Sequence, residues 1–216
     1  MNTLDYLLKK YNLSFDANVR MPVEIPNVGR ATLAEWLHEL DFRTGVEVGV
    51  ASGEYSEVLC KANPQMKLYG VDPYVPLASY RDYSRQSTMD KFRQQAEARL
   101  SAFNYEFIRK TSMEAVKYFA DDSLDFVYID ANHAADFVNE DITEWNKKIR
   151  SGGIIAGHDY SIHKTKDDMS PHHAVRQAVR HYTAVHKVNP WFVLGTLSIH
   201  KYPIRDNPRS WMWVKP

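Results

Sequence analysis

Between residues 45 and 156, short apolar runs alternate with stretches of helical periodicity, and this rhythm restricts the fold more than any other feature of the chain. The runs lie at 45–50, 67–71, 105–108, 124–129 and 153–156, and the helical stretches near 54–62, 88–102, 112–119 and 134–149. Strands that are apolar almost throughout are buried on both faces, and the helices between them supply the cover. The pattern predicts an α/β domain, doubly wound, with a mostly parallel sheet.

The flanks read differently. Residues 1–43 look like an N-terminal helical extension: Leu4, Leu7 and Leu8 share one face, and Thr32 with Glu35 makes a capping box ahead of Leu33, Trp36 and Leu37. The domain proper then spans residues 44–216. After a loop at 160–170 rich in His, Lys and Asp, and a helix near 171–182, apolar runs at 191–194, 196–201 and 211–214 follow one another closely. Short links between late strands predict antiparallel pairing at one edge of the sheet. Trp191, Phe192, Trp211 and Trp213 read as strand core or as a subunit interface.

Composition narrows the classes of function. Lys+Arg and Asp+Glu both number 27, so no bulk attraction for nucleic acid or an anionic membrane is expected. Cys60 is the only cysteine, which excludes an internal disulfide and a multi-cysteine metal cluster. Residues 1–16 lack the apolar block of a secretory signal, and no window approaches the roughly 20 apolar residues of a membrane span. A cytoplasmic protein acting on a small molecule is the expectation.

The sharpest local signal runs from strand to helix: Glu47, Gly49, Val50, Ala51, Gly53 and Tyr55. Glycines at such a turn let the backbone approach a ligand at the carboxyl end of a parallel sheet. Asp72 closes the next strand, about 20 residues on, where a carboxylate can accept hydrogen bonds from ribose hydroxyls. Two chemistries compete for this adenosine-type site. A dinucleotide fold uses G-x-G-x-x-G, whereas Gly49 and Gly53 are spaced G-x-x-x-G, and the anionic Glu47 opposes a pyrophosphate. A cationic sulfonium cofactor with an ammonium group fits better than NAD.

Glu47, Gly49 and Gly53 followed by Asp72 resemble the first two motifs of class I S-adenosylmethionine-dependent methyltransferases. The segment 109–114, including Ser112 and Met113, is similar to the one that packs on adenine in that family. Asp130 to His133 after the fourth run, with His158, Asp159 and Tyr160 after the fifth, resemble the small-molecule O-methyltransferase branch, which includes macrolide-sugar and catechol-type enzymes. The likeness covers residues 44–182. It implies a Rossmann-like sheet of seven strands with an antiparallel edge strand, S-adenosylmethionine as cofactor, and methyl transfer to a hydroxyl of a sugar, phenol or natural product. The cofactor contacts it implies are Glu47, Gly49, Val50, Ala51, Gly53, Tyr55, Asp72, Tyr74, Ser112, Met113 and Asp130.

Methyl transfer to oxygen requires the acceptor to lose a proton, and a histidine can take it near neutral pH. His133 or His158, oriented by Asp130 or Asp159, is the expected base. Relatives of the catechol type hold Mg²⁺ with acids after the fourth and fifth strands. Here Asp130, His158 and Asp159 occupy those places, and the imidazole suits a transition metal better than magnesium. A divalent metal and a metal-free histidine base therefore both stand, and His172 and His173 are further candidates for a metal site. The 160–170 loop reads as a lid or a solvated loop, the N-terminal helices as a cap on the acceptor pocket, and a homo-oligomer is expected. Competing functions are an NAD-dependent oxidoreductase and a non-catalytic module that binds the cofactor.

Overall fold

The structure is a computed structural model that describes residues 2–14, 19–76, 84–160, 171–195 and 206–216, with backbone only for 171–173. Residues 161–170 of the expected loop, the side chains of His172 and His173, and the strand expected at 196–201 lie outside what it describes. Among the described residues eight strands form one sheet in the order β4–β3–β2–β5–β6–β8–β7–β1. They are β1 (Val23–Ile25), β2 (Thr44–Val48), β3 (Lys67–Val71), β4 (Tyr105–Ile108), β5 (Leu124–Ile129), β6 (Ile149–Tyr160), β7 (Phe192–Leu194) and β8 (Arg209–Val214). Among the described residues seven α-helices cover it: α1 (Thr3–Lys10), α2 (Arg30–Glu39), α3 (Glu54–Ala62), α4 (Gln86–Leu100), α5 (Ser112–Ala115), α6 (Ala135–Lys148) and α7 (Pro171–Val185).

Strands β2 to β6 are parallel, as the continuous apolar runs require, and only β8 is reversed, pairing antiparallel with both β6 and β7. The reversed strand thus lies near one edge with β7 and β1 beyond it. The sheet has one strand more than the seven expected. The extra one is β1, which falls inside the stretch read as helical and pairs parallel with β7 (Val23 opposite Phe192). Three residues between Pro22 and Pro26 are too few to show a strand period. Helix α2 also starts earlier than the capping box suggested. Gly29 is its N-cap and Thr32 sits three residues in, its Oγ1 accepting the Gly29 N–H at 3.4 Å.

The core is split by the sheet according to the two-residue strand period. Val46, Val48, Val127 and Ile129 point to the face covered by α6 and α7, where Ile142, Trp145 and Val179 meet them. Phe126 and Tyr128 point the other way, to Leu33, Trp36, Leu37 and Leu59 of α2 and α3. Glu47 shares that second direction. Helices α1 and α2 of the N-terminal stretch are tied into the domain: Leu7 and Trp36 are fully buried, and Thr3 Oγ1 donates to the Gly152 carbonyl at 2.5 Å. Trp191, Phe192, Trp211 and Trp213 are all buried within the chain, and the Trp211 and Trp213 rings stack with centroids 5.2 Å apart.

Candidate active site

The carboxyl ends of β2, β3, β5 and β6 open into a cavity of about 780 Å³. The turn after β2 forms its floor. Gly49 has φ +92° and Gly53 φ +77°, a backbone region that side chains disfavour. A Cβ on Gly49 would lie 2.0 Å from the Asp130 carbonyl oxygen, so this glycine lets the ends of β2 and β5 close on each other. Gly53 caps α3 and packs toward Ala96 and Leu100 of α4 instead of lining the cavity. Val50 and Ala51 line it.

Asp72 does more than face a ligand. Its Oδ2 accepts the N–H groups of Val50 (3.1 Å) and Ala51 (3.0 Å), and its Oδ1 accepts that of Tyr74 (2.8 Å). The carboxylate staples the glycine turn to the end of β3 while still lining the cavity. Burial raises its pKa against those three donors. Tyr74 lies beneath the turn, 4% exposed, with its hydroxyl donating to the Ala51 carbonyl at 3.1 Å, and it does not line the cavity. Tyr55 does, resting on Tyr128 at 4.4 Å and donating its hydroxyl to the Arg30 carbonyl.

Glu47 is 2% exposed and reaches the cavity wall, where Ser56 Oγ donates to it. Burial pushes its carboxyl up to about 8 despite that bond, and the charges of Asp130 and Asp72 push the same way. Arg30, on which no motif falls, is a nearby cation. It arrives from the start of α2, stacks over the Tyr55 ring at 5.1 Å and brings Nη1 to 3.9 Å from Asp130 Oδ2.

At the far ends of β5 and β6 the expected acids and histidines converge. Asp130 follows β5, its N–H bound to the Val48 carbonyl at 2.8 Å. His133 Nε2 lies 2.8 Å from Asp159 Oδ2 and 3.9 Å from Asp130 Oδ1. His158 Nδ1 lies 3.5 Å from Asp159 Oδ2 and 3.8 Å from Asp130 Oδ2. One extra residue in β6 between Gly157 and Tyr160, opposite Trp211 and Arg209 of β8, breaks the ladder there, and Asp159 sits at φ +59°. Such a bulge re-aims a side chain, and here it accompanies Asp159 reaching the cavity. His158 stays outside the lining, behind the two carboxylates.

Burial opposes a charged imidazole at His133, but the hydrogen bonds to Asp130 and Asp159 outweigh it and raise the pKa to about 9. His158 is raised for the same reason, with Asp159 the bonded partner. Burial acts on Asp159 in the opposite sense, and both histidines together hold its carboxyl far below the usual carboxylate range. Asp130, His133 and Asp159 each offer a ligand atom within 4.8 Å of the others. Among the described residues this trio differs from the expected set, Asp130, His158 and Asp159, in its histidine.

Ser112 belongs to the segment whose resemblance implies a contact with adenine, and it does not cap the helix it opens. Thr111 takes the cap, and Ser112 stands in the cavity wall, accepting from Trp145 Nε1 at 2.7 Å and donating to Asp141. Met113 also lines the cavity. Asp141, unremarked in the sequence, is the second residue missed. Helical spacing does mark it, since it falls on the buried stripe of α6 with Val138, Ile142 and Trp145.

No curated protein sequence matches the chain. Among solved structures, an O-methyltransferase from Bacillus cereus in complex with SAH aligns over 99% of this chain and 90% of its own, with a TM-score of 0.58 at 16% identity. The O-methyltransferase TomG from Streptomyces achromogenes, in complex with SAM, aligns over 100% and 97% with a TM-score of 0.57 at 16% identity. The SAH-bound methyltransferase PaMTH1 of Podospora anserina aligns over 87% and 78%, TM-score 0.56, 12% identity. These share the fold. A methyltransferase-domain family model matches residues 46–160, which hold the glycine turn, Asp72, Asp130, His133 and Asp159. With more than half of its length inside that match, the chain belongs to the methyltransferase-domain family.

Proposed function

We propose that this methyltransferase transfers a methyl group from S-adenosylmethionine to a hydroxyl oxygen of a small molecule. The observation that carries the proposal is the meeting, in one cavity, of the glycine turn with the Asp130–His133–Asp159 group. Glu47 would receive the cofactor's ammonium group, since a buried carboxyl raised to about 8 gains most from a cationic ligand. Asp72 has hydrogen-bonding capacity left after its three backbone partners, and a carboxylate with about four acceptor positions can still take a ribose hydroxyl. Family membership favours this cofactor over the competing NAD reading.

The reaction is an in-line displacement at the methyl carbon. The acceptor oxygen forms the new C–O bond as the C–S bond breaks, and the acceptor proton must leave. His133 would take that proton in its neutral form, positioned by Asp159, and the positive sulfonium of bound cofactor favours that neutral form. Holding acceptor and sulfonium together supplies much of the remaining acceleration. His158 would act on Asp159 from behind.

A second reading is favoured by the donor geometry. Asp130, His133 and Asp159 fit a zinc- or iron-type ion better than magnesium, which takes oxygen ligands. Such an ion would supply Lewis-acid stabilisation of the acceptor's oxyanion. Methyl transfer to a panel of phenols and sugars, with and without chelator, tests both. Activity that survives chelation and is lost in His133→Ala supports the base, whereas activity lost on chelation and restored by metal supports the ion. A protein that binds S-adenosylmethionine but methylates nothing in the panel would favour the non-catalytic alternative.

A further inference from the structure

Arg30 is held at three points, and none of them uses the edge of its guanidinium. Its backbone N–H donates to Asp206 Oδ2 at 2.6 Å, and its carbonyl accepts the Tyr55 hydroxyl at 2.9 Å. The guanidinium lies over that same tyrosine ring, 5.1 Å from its centroid. Asp206 comes this close because residue 29 is a glycine, where a Cβ would stand 2.7 Å from Asp206 Oδ1. Among the described residues no hydrogen bond ends on the guanidinium, and Asp130 Oδ2, at 3.9 Å, lies beyond that reach. With its face on a ring, an arginine still presents a fork of N–H donors at its edge. That fork matches the paired oxygens of a carboxylate or a phosphate. Because the backbone and the ring already fix Arg30, little ordering cost remains for a ligand to meet.

The surroundings say which anion this is. Seven carboxyl side chains line the cavity, and Arg30 is the only arginine or lysine among the described residues that do. Such a cavity repels an anion everywhere except beside Arg30. The residues assigned above to the cofactor and to the proton lie inside the stretch matched by the methyltransferase-domain model, 46–160, and Arg30 lies outside it. Recognition of a particular acceptor is the part of a site that a shared domain leaves to the rest of the chain. Distance agrees with that division. Asp130 stands 3.9 Å from both Arg30 Nη1 and His133 Nε2, so one small molecule can set a hydroxyl at the imidazole and an oxyanion at the guanidinium. Building on the methyl transfer proposed above, we propose that Arg30 binds an anionic group of the acceptor, a carboxylate or a phosphate, so that the acceptor is a hydroxylated acid rather than a neutral sugar or phenol.

The test is calorimetric binding of matched acceptors to the protein saturated with S-adenosylhomocysteine, which needs no turnover. The probes are protocatechuate and its amide, glucuronate and glucuronamide, and glucose 6-phosphate and glucose. In at least one pair the acid should bind the wild type about 10- to 100-fold more tightly than its neutral counterpart, the range for hydrogen bonds to a charged group, and the pair that does so tells carboxylate from phosphate. Arg30→Gln should bring that ratio to one or below, since the carboxyls of the cavity remain. Arg30→Lys keeps the charge without the fork and should leave an intermediate ratio. If no acid outbinds its neutral counterpart in the wild type, the proposal is overturned, whether or not the variants fold. A ratio that Arg30→Gln leaves unchanged overturns it as well, and if the same variant weakens S-adenosylhomocysteine, Arg30 serves the cofactor's own carboxylate instead. Failure of the wild type to bind S-adenosylhomocysteine in the first step would mark the cofactor reading as wrong, and the role of Arg30 would fall with it.

Discussion

Two buried carboxylates in one cavity carry opposite perturbations. Glu47 and Asp159 are 2% and 4% exposed, so water is excluded from both to nearly the same degree. Glu47 is pushed up to about 8, and Asp159 is held far below the usual range. The difference lies in the partners. Asp159 is flanked by two imidazoles of the chain, at 2.8 and 3.5 Å, whereas Glu47 has a serine hydroxyl and a more distant Arg30. One charge is neutralised by the fold and the other is left for a ligand to neutralise. That contrast separates the proposed proton-transfer centre from the proposed cation-binding one.

The largest expected effect tests the first centre. His133→Ala should lower kcat by about 10²- to 10⁴-fold, the usual contribution of a general base, while S-adenosylmethionine affinity measured by calorimetry stays within a few-fold. Comparable losses in both would move His133 to the cofactor side of the comparison. Asp159→Asn should cost less, about 10- to 100-fold in kcat, because His133 keeps Asp130 at 3.9 Å. A loss larger than that of His133→Ala would make the carboxylate, rather than the imidazole, the principal group.

Glu47→Gln breaks the comparison from the other side. It should weaken S-adenosylmethionine by about tenfold at pH 8, through loss of the pairing with the ammonium group. The same change should stabilise the ligand-free protein, since Glu47 is a carboxyl whose folded pKa, about 8, exceeds its ordinary 4.5. Its contribution to stability is full below pH 4.5 and declines as pH rises to about 8. Removing the group should therefore gain nothing at pH 4, up to about 3 kcal/mol at pH 7, and a constant increment above pH 8, read as a rising difference in Tm. A flat difference across that range would mean that Glu47 is already ionised and paired.

The smallest effect concerns the floor beneath the cofactor. Tyr74→Phe removes the bond to the Ala51 carbonyl and should cost about 1 kcal/mol of stability, with S-adenosylmethionine affinity changed less than about twofold. A large loss of affinity would place Tyr74 in contact with the ligand, as the sequence resemblance implied.

Much of the cofactor half was legible because its signals are local. Glu47, Gly49 and Gly53 lie within one strand-to-helix turn, and Asp72 stands one βαβ step later, so spacing alone orders them along the sheet edge. The catalytic half was legible in membership but not in arrangement. Asp130, His133, His158 and Asp159 were all singled out, yet which histidine meets which acid depends on a bulge in β6 that no periodicity announces. Arg30 and Asp141 escaped altogether. An arginine opening a helix and an aspartate on a buried helix stripe belong to no motif that ties them to a site assembled from residues 47 to 159.

The sequence by itself determined the doubly wound sheet, the glycine turn with its acid, and the family, because burial on both faces of a strand and the conformational freedom of glycine are written in neighbouring residues. Only the tertiary structure decided the ownership of charge. It added β1 to the edge, drew Arg30 over Tyr55, placed His133 on Asp159, and buried Glu47 and Asp141 so that both carboxyls are pushed up. Charges interact through space, at distances that side-chain direction and burial set, and those are properties of the packed chain rather than of its order along the backbone.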